Sequence, residues 1–564
     1  MLNPHSLTKK RELGAYYTPP ELSQVLTDWA IVRSDEDILE PSFGGCGFFD
    51  SSIKTLRRLG CPSPEKQLYG VDIDQHAFGI LSEKFGHMVE TVNRFIKKDF
   101  ITVHPTDFLV QQFDVVLGNP PYVSMHNMTE KQRETCETVL RNSPFSSVTM
   151  GRNASLWAFF LLHSLSFLKE GGRVAWVLPS SLLHADYAKR LLEIHQLHFQ
   201  NVKVLKLAER FFKEEGAKET SVILIADSFS TEPLVDTNFS VAAVENVEDL
   251  KRAIECDLQT TEAGIDGYKL DLVNQDAKNA YLQLLKSEHS NPIGYYADIK
   301  IGMVTGANKY FVVNQATVNE HNLPEDVLQP VIGRFSSLIG VTHDIRKQRR
   351  IQREGHRAYL VCPSEEQMQD PNNPVGAYLN QITLEERNKN RTFGKRPNWF
   401  APGYGIDGIV ADCFLSYMIH LGPRMVVNKA KVNCTNSIHK VIFRKNTSAK
   451  VKQAFALTLL STYSQFSAEV EGRAYSSGVL KIEPSAGRNI KVLFTPDCVE
   501  DLLGIKADVE KEIQRENPIK VAELVDGVLI QHGLITIKQR AYLLDGVNAL
   551  RRERYKGVRS FNDQ

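Results

Sequence analysis

The segment Phe113-Asp114-Val115-Val116-Leu117-Gly118-Asn119-Pro120-Pro121-Tyr122-Val123 begins as an apolar run with one acid near its start and stops at Asn119, two prolines and an aromatic ring. Such a run predicts a buried parallel strand. In open α/β sheets, ligands sit at the carboxyl ends of strands, where Asn119 and Tyr122 fall. The side-chain carbonyl of Asn119 and the backbone carbonyl of Pro120 offer two acceptors, on a backbone that consecutive prolines hold extended. An exocyclic amino group on a nucleobase has two N–H donors to meet them, and Tyr122 offers a face for the ring. Asn-Pro is also an ordinary turn former, so the four residues alone support a strand end and a binding site about equally.

The residues upstream extend the pattern. Thr18-Pro19-Pro20-Glu21 precedes apolar positions Leu22, Val25, Leu26 and Trp29 at helical spacing, with Thr18 expected as N-cap and Pro19 as the first helical residue. Ile38-Leu39-Glu40-Pro41 followed by Gly44, Gly45, Cys46 and Gly47 reads as a strand, a glycine-rich turn that lets backbone approach a ligand, and a helix start. Leu68 to Asp72 is a second strand; an acid at its end is placed to accept hydrogen bonds from ribose hydroxyls. A third, around Phe95 to Lys98, ends in Asp99-Phe100, a pair able to recognise an adenine amino group and cover its ring.

Downstream, Met125 to Arg152 is polar and turn-rich and is expected to be a mobile loop. Leu156 to Leu168 reads as a core helix, too short to span a bilayer. Strands follow at 173–179, 202–207 and 221–226. The alternation predicts an α/β fold: one open, mostly parallel sheet of about seven strands, Rossmann-like, covered on both faces and ending near residue 235.

With 564 residues the chain exceeds what one core serves, so residues 236–500 are expected to form a second, mixed α+β domain, followed by a helical segment at 501–564. The 67 basic and 67 acidic residues cancel, which excludes a uniformly basic coat but not a local basic groove. Eight cysteines lie scattered without a Cys-x-x-Cys pair, and no hydrophobic leader is evident; a cytoplasmic protein with reduced thiols, no metal site and no membrane span is expected.

Taken in order, Tyr-Thr-Pro-Pro, Glu-Pro with a glycine turn, a strand-ending Asp, Asp-Phe, Asn-Pro-Pro-Tyr and a late Phe-Phe resemble the amino-group DNA methyltransferases of the TaqI type, N6-adenine enzymes with a C-terminal target-recognition domain. The resemblance covers most of residues 13–226 and implies S-adenosylmethionine as cofactor, double-stranded DNA as substrate and a cognate restriction endonuclease as partner. It implies that Thr18, Glu40 and the turn Gly44, Gly45, Gly47 hold the methionine part of the cofactor, that Asp72 takes the ribose, and that Asp99 and Phe100 take its adenine. Asn119 and Pro120 would bind the target amino group, and Tyr122 and Phe212, with Phe211 as alternative, would stack on the extruded base. Family members usually carry glycine where Cys46 stands.

The second half contains Ile301-Gly302-Met303-Val304-Thr305-Gly306-Ala307-Asn308-Lys309-Tyr310-Phe311, which resembles the opening of target-recognition domains and reads equally well as a β-hairpin. Residues 341–440 hold 15 lysines and arginines against 9 acids, a local excess suited to tracking phosphates. Arg346, Lys347, Arg349, Arg350, Arg391, Lys395, Arg396 and Lys429 are the DNA-contacting candidates within it, and Arg551, Arg552 and Arg554 form a basic tail. The leading reading is a site-specific adenine N6-methyltransferase of a restriction-modification system. A protein glutamine N5-methyltransferase would share Asn-Pro-Pro-Tyr but lack the basic second domain, and a DNA-specificity subunit without catalysis would not need Asn119 to Tyr122.

Overall fold

The computed structural model describes residues 18–86, 93–141, 143, 145, 150, 154–183, 185–207, 221–256, 269–402, 410–474 and 478–555, apart from the side chains at 126 and 186. The described residues divide into two compact units, those up to 271 and those from 272 to 555.

The first unit is built on strands β1 (Ile38–Glu40), β2 (Leu68–Asp72), β3 (Phe95–Lys97), β4 (Phe113–Gly118), β5 (Leu168–Pro179), β6 (Phe199–Leu207), β7 (Ser221–Phe229) and β8 (Asn238–Val244). They form one sheet in the order β3-β2-β1-β4-β5-β7-β6-β8. All neighbours are parallel except β7, which runs antiparallel to both β5 and β6. The expected seven strands are therefore joined by an eighth. Residue 235 is not the end of the sheet: β8 pairs with β6 along its whole length, from Asn201↔Asn238 to Leu207↔Val244. Pro233 to Asp236 lie in the connection that carries the chain past β6 to the sheet's far edge.

Its helices are α1 (Pro20–Ala30), α2 (Gly47–Arg58), α3 (Gln75–Phe85), α4 (Glu130–Arg141), α5 (Leu156–Ser164), α6 (Asp186–His198) and α7 (Val247–Glu255). Leu22, Val25, Leu26 and Ala30 of α1 join Phe49, Ile53 and Leu56 of α2 and Val115 and Leu117 of β4 in one apolar core. Helix α5 is buried on every side, which explains a sequence apolar all round rather than striped. The stretch expected to be a mobile loop contains a short 3-10 turn (Met125–Asn127) and helix α4; its polar sequence is that of a helix with one buried face residue, Cys136.

The second unit is mixed α+β. A five-stranded sheet runs in the order Ala297–Ile301, Ile438–Phe443, Cys413–Ser416, Met425–Asn428, Thr342–His343, and a four-stranded one joins Val312–Val313, Tyr359–Val361, Leu328–Ile332 and Asn433–Cys434. From Val499 the chain is helical, and the last helix, Ile537–Tyr555, packs on Thr462–Glu471 and Gln275–Leu285. No hairpin forms at 301–311. Strand Ala297–Ile301 pairs with Ile438–Phe443 instead, and Asn308–Phe311 is a short helix.

Candidate active site

β1, β2 and β4 lie side by side and parallel, so their carboxyl ends bring Glu40, Asp72 and Gly118-Asn119 to one edge of the sheet. Gly118 ends β4 at φ +152°, a conformation open to glycine, and a Cβ there would stand 3.5 Å from Glu40 Cγ. Asn119 and Tyr122 are half-buried and Pro120 is buried. The exit of the motif is held by two backbone bonds, Val123 N to the Pro121 carbonyl at 2.9 Å and Leu156 N to the Val123 carbonyl at 3.0 Å, which tie it to the start of α5.

Thr18 is not the cap of α1. Pro19 occupies the N-cap position without a side-chain bond, and Pro20 opens the helix. The Thr18 hydroxyl instead accepts from Asn119 Nδ2 at 3.2 Å, across 101 residues of sequence. That bond uses the amide N–H side of Asn119 and fixes which way its carbonyl oxygen faces.

Glu40 is 2 % exposed, and its Oε2 has no hydrogen-bond partner among the described residues. Burial, followed by the nearby charges of Asp72 and Asp50, pushes its carboxyl well above the usual range. Asp72 accepts from Gly44 N at 2.9 Å on Oδ2 and from Asp74 N at 2.8 Å on Oδ1, while burial raises its pKa. A further backbone bond, from Ile73, also lowers its pKa, so three backbone N–H groups orient this carboxylate. A site with two buried acids, one with an oxygen that has no partner among the described residues, suits a ligand that brings a cationic amine and hydroxyl donors. The methionine and ribose parts of S-adenosylmethionine meet that requirement.

Cys46 caps α2 in the left-handed conformation at φ +61°, and Gly44 lies at φ +43°. The backbone at 46 is thus the kind that glycine adopts freely, and this chain imposes it on a cysteine whose side chain is fully buried. Burial also drives the Cys46 thiol pKa far up, so the thiol carries no nucleophile.

Asp99 is half-buried and accepts from Ile101 N at 3.1 Å. Phe100 differs from expectation: its ring is 1 % exposed and packs against Phe160, His163 and Phe167 with centroids 5.0–5.2 Å away, so its faces are spent on the core. Phe212 and its alternative Phe211 lie outside the described residues.

The basic candidates of the second unit separate into two groups. Arg346, Arg349, Arg391, Lys395 and Lys429 are exposed. Lys347 donates to the carbonyls of Ile339 (3.1 Å) and Thr342 (2.7 Å), and Arg396 to those of Val304 (2.5 Å) and Trp399 (3.4 Å). Arg350 pairs with Glu354 at 2.7 Å. Of the expected tail, Arg552 is exposed but the other two are internal: Arg554 is 7 % exposed and forks onto both oxygens of Glu469 at 2.9 Å, and Arg551 joins the same carboxylate at 3.1 Å. Lys347, Arg396, Arg551 and Arg554 therefore hold this unit together, a use that composition cannot distinguish from phosphate contact. Among the described residues no group of three or more His, Cys, Asp or Glu is arranged to hold a metal ion, and no helix is long and apolar enough to cross a membrane.

Residues 1–250 match the N-6 DNA Methylase family, and residues 268–530 match the C-terminal domain of the type II methyltransferase M.Eco57I. Together these two matches identify an N6-adenine DNA methyltransferase. Among individual proteins it is similar to the type II methyltransferase M.AccI of Acinetobacter calcoaceticus, 24 % identical over 494 residues that cover 85 % of each chain. It is also similar to M.HindII of Haemophilus influenzae, 24 % identical over 332 residues covering 56 % of this chain and 58 % of that one. In fold it resembles the type IIL restriction-modification enzyme MmeI, solved in complex with DNA, with a TM-score of 0.59 at 12 % identity over 98 % of this chain and 80 % of that one.

Proposed function

We propose that this chain is the modification methyltransferase of a type II restriction-modification system, that it takes S-adenosylmethionine as cofactor, and that it acts on an adenine extruded from duplex DNA. The observation that carries the reading is the contact between Glu40 and Gly118: it sets the acid suited to the cofactor's amine one residue from Asn119, the group suited to the target. When bound, S-adenosylmethionine supplies an electrophilic methyl group on a sulfonium sulfur. Glu40 and the turn of Gly44, Gly45 and Gly47 would hold its methionine part, with Glu40 on the ammonium, Asp72 would hold its ribose, and Asp99 would meet its adenine.

At the target, Asn119 Oδ1 and the Pro120 carbonyl accept the two N–H bonds of the adenine amino group, favouring a more pyramidal, electron-rich nitrogen. The bond from Asn119 to Thr18 keeps that oxygen turned to its task, so Thr18 acts as a positioning residue for the acceptor side of the reaction. Holding both reactants in one geometry accounts for up to about 7–11 kcal/mol of barrier lowering. Extrusion of the base costs a few kcal/mol, of which stacking on Tyr122 returns about 1–3. The similarity to type II methyltransferases along 85 % of the chain supports a restriction-modification setting.

Methylation-aware sequencing of DNA from cells expressing this chain tests the proposal. N6-methyladenine within one short sequence is expected, absent with Asn119→Ala although purified Asn119→Ala still binds DNA within about tenfold of wild type. Methylation that survives Asn119→Ala would remove the assignment of Asn119.

A further inference from the structure

Two segments more than 120 residues apart converge in the second unit. Gly302 N donates to the Ile438 carbonyl (3.0 Å), Met303 N to that of Cys434 (2.8 Å), and Asn436 N to that of Met303 (2.8 Å). A Cβ at Gly302 would lie 2.2 Å from the Thr435 carbonyl oxygen, so the two backbones touch. A third segment is tied to the same turn by Asn390 Nδ2 on the Gly306 carbonyl at 3.0 Å and by Arg396 on that of Val304.

At the tip stands Asn436. The bond from Ile438 N to the Thr435 carbonyl, 3.1 Å, closes a turn with Asn436 at its apex. The residues on either side are anchored: the Thr435 and Ser437 hydroxyls both donate to the Gly333 carbonyl, at 2.8 and 3.1 Å. The Asn436 side chain is exposed but oriented by a relay, in which the buried Thr305 hydroxyl donates to Asn308 Oδ1 at 2.5 Å and Asn308 Nδ2 donates to Asn436 Oδ1 at 3.2 Å. The relay leaves Asn436 its two amide N–H groups and the second lone pair of Oδ1. A donor and an acceptor side by side match N7 and the N6 amino group of adenine in the major groove. Lys309, Arg391 and Lys395, all exposed on the same converging segments, are placed for phosphates.

We propose that Asn436 reads the major-groove edge of a base pair, an adenine by preference, within the recognition sequence, and that Asn308 is its positioning residue. A side chain fixed before binding loses little entropy when it contacts a base, and that suits a specificity contact rather than a general surface amide. The inference rests on the DNA-methylating function of the chain.

The test uses the full-length protein, S-adenosylmethionine and a duplex library randomised at each position of the recognition sequence, with methylated products sequenced. Asn436→Ala is expected to lose about 5- to 150-fold discrimination at one base pair while the other positions keep theirs. Asn436→Asp is isosteric, retains the oxygen that Asn308 holds, and replaces the outward donor by an acceptor. It is expected to turn the preference at that same pair away from adenine toward the N4 amino group of cytosine. Lys395→Ala should instead lower methylation of all sequences together and reduce the salt slope by about one. Position profiles unchanged in both Asn436 variants, or a uniform fall across all sequences in either, would overturn the assignment. A wild-type protein that methylates nothing in the library would remove the function on which it rests, whereas a methylating wild type with unaltered variants removes only the role of Asn436.

Discussion

Replacing Glu40 by Gln probes the cofactor side of the site through two opposed effects. In the free protein the wild-type carboxyl is buried, Oε2 has no partner among the described residues, and burial together with Asp72 and Asp50 holds its pKa above 4.5. An acid whose folded pKa is raised contributes its full stability below the unfolded value and loses it as pH rises toward the folded value, because the unfolded chain releases the proton first. The Gln variant has no such proton. Without cofactor its stability relative to wild type is therefore expected to rise from about pH 4.5 upward, by about 1.4 kcal/mol for each pH unit up to the folded pKa. With cofactor the order reverses. A charge-assisted hydrogen bond to an ammonium is worth about 1.5–3 kcal/mol, so the variant should bind S-adenosylmethionine about 10- to 150-fold more weakly. Wild-type binding should also release a proton from Glu40, and variant binding should not. Calorimetry in two buffers of different ionisation enthalpy measures affinity and proton release together. Equal affinity and equal proton release in the two proteins would refute the assignment of Glu40 to the cofactor amine.

Three further outcomes follow from other parts of the molecule. At φ +61° a side chain costs about 1–2 kcal/mol, so denaturant unfolding should find Cys46→Gly more stable than Cys46→Ala by about that amount. Gly302→Ala sets a methyl 2.2 Å from a backbone oxygen, and unfolding of the variant should show a loss of about 3 kcal/mol or more; a change under 1 kcal/mol would mean the two segments do not touch. Arg554→Ala leaves Glu469 short of its fork in a buried network and should cost about 3–5 kcal/mol in thermal unfolding, without altering the salt dependence of DNA binding. A changed salt slope in a stable Arg554→Ala protein would restore the phosphate role expected from sequence.

The strands were legible because burial writes itself into local composition: Ile38-Leu39, Leu68 to Val71 and Val115 to Leu117 are apolar runs bounded by glycine, proline or acid. The order of the motifs also placed Glu40, Asp72 and Asn119 at strand ends, since parallel strands alternating with helices must all point their carboxyl ends one way. The last strand was missed because Asn238–Val244 alternates weakly and follows a proline- and acid-rich connection, and pairing with β6 is a partnership 37 residues apart that no local pattern announces.

What tertiary structure alone decided is the use each polar side chain is put to. Thr18 looked like a helix cap and meets Asn119; Phe100 looked like a cofactor cover and packs among Phe160, His163 and Phe167; Arg554 looked like a phosphate contact and grips Glu469. The physical reason is range. Hydrophobic periodicity is set by neighbours within a few residues and survives in sequence, whereas a hydrogen bond or ion pair is satisfied by whichever partner the finished fold brings within 3 Å.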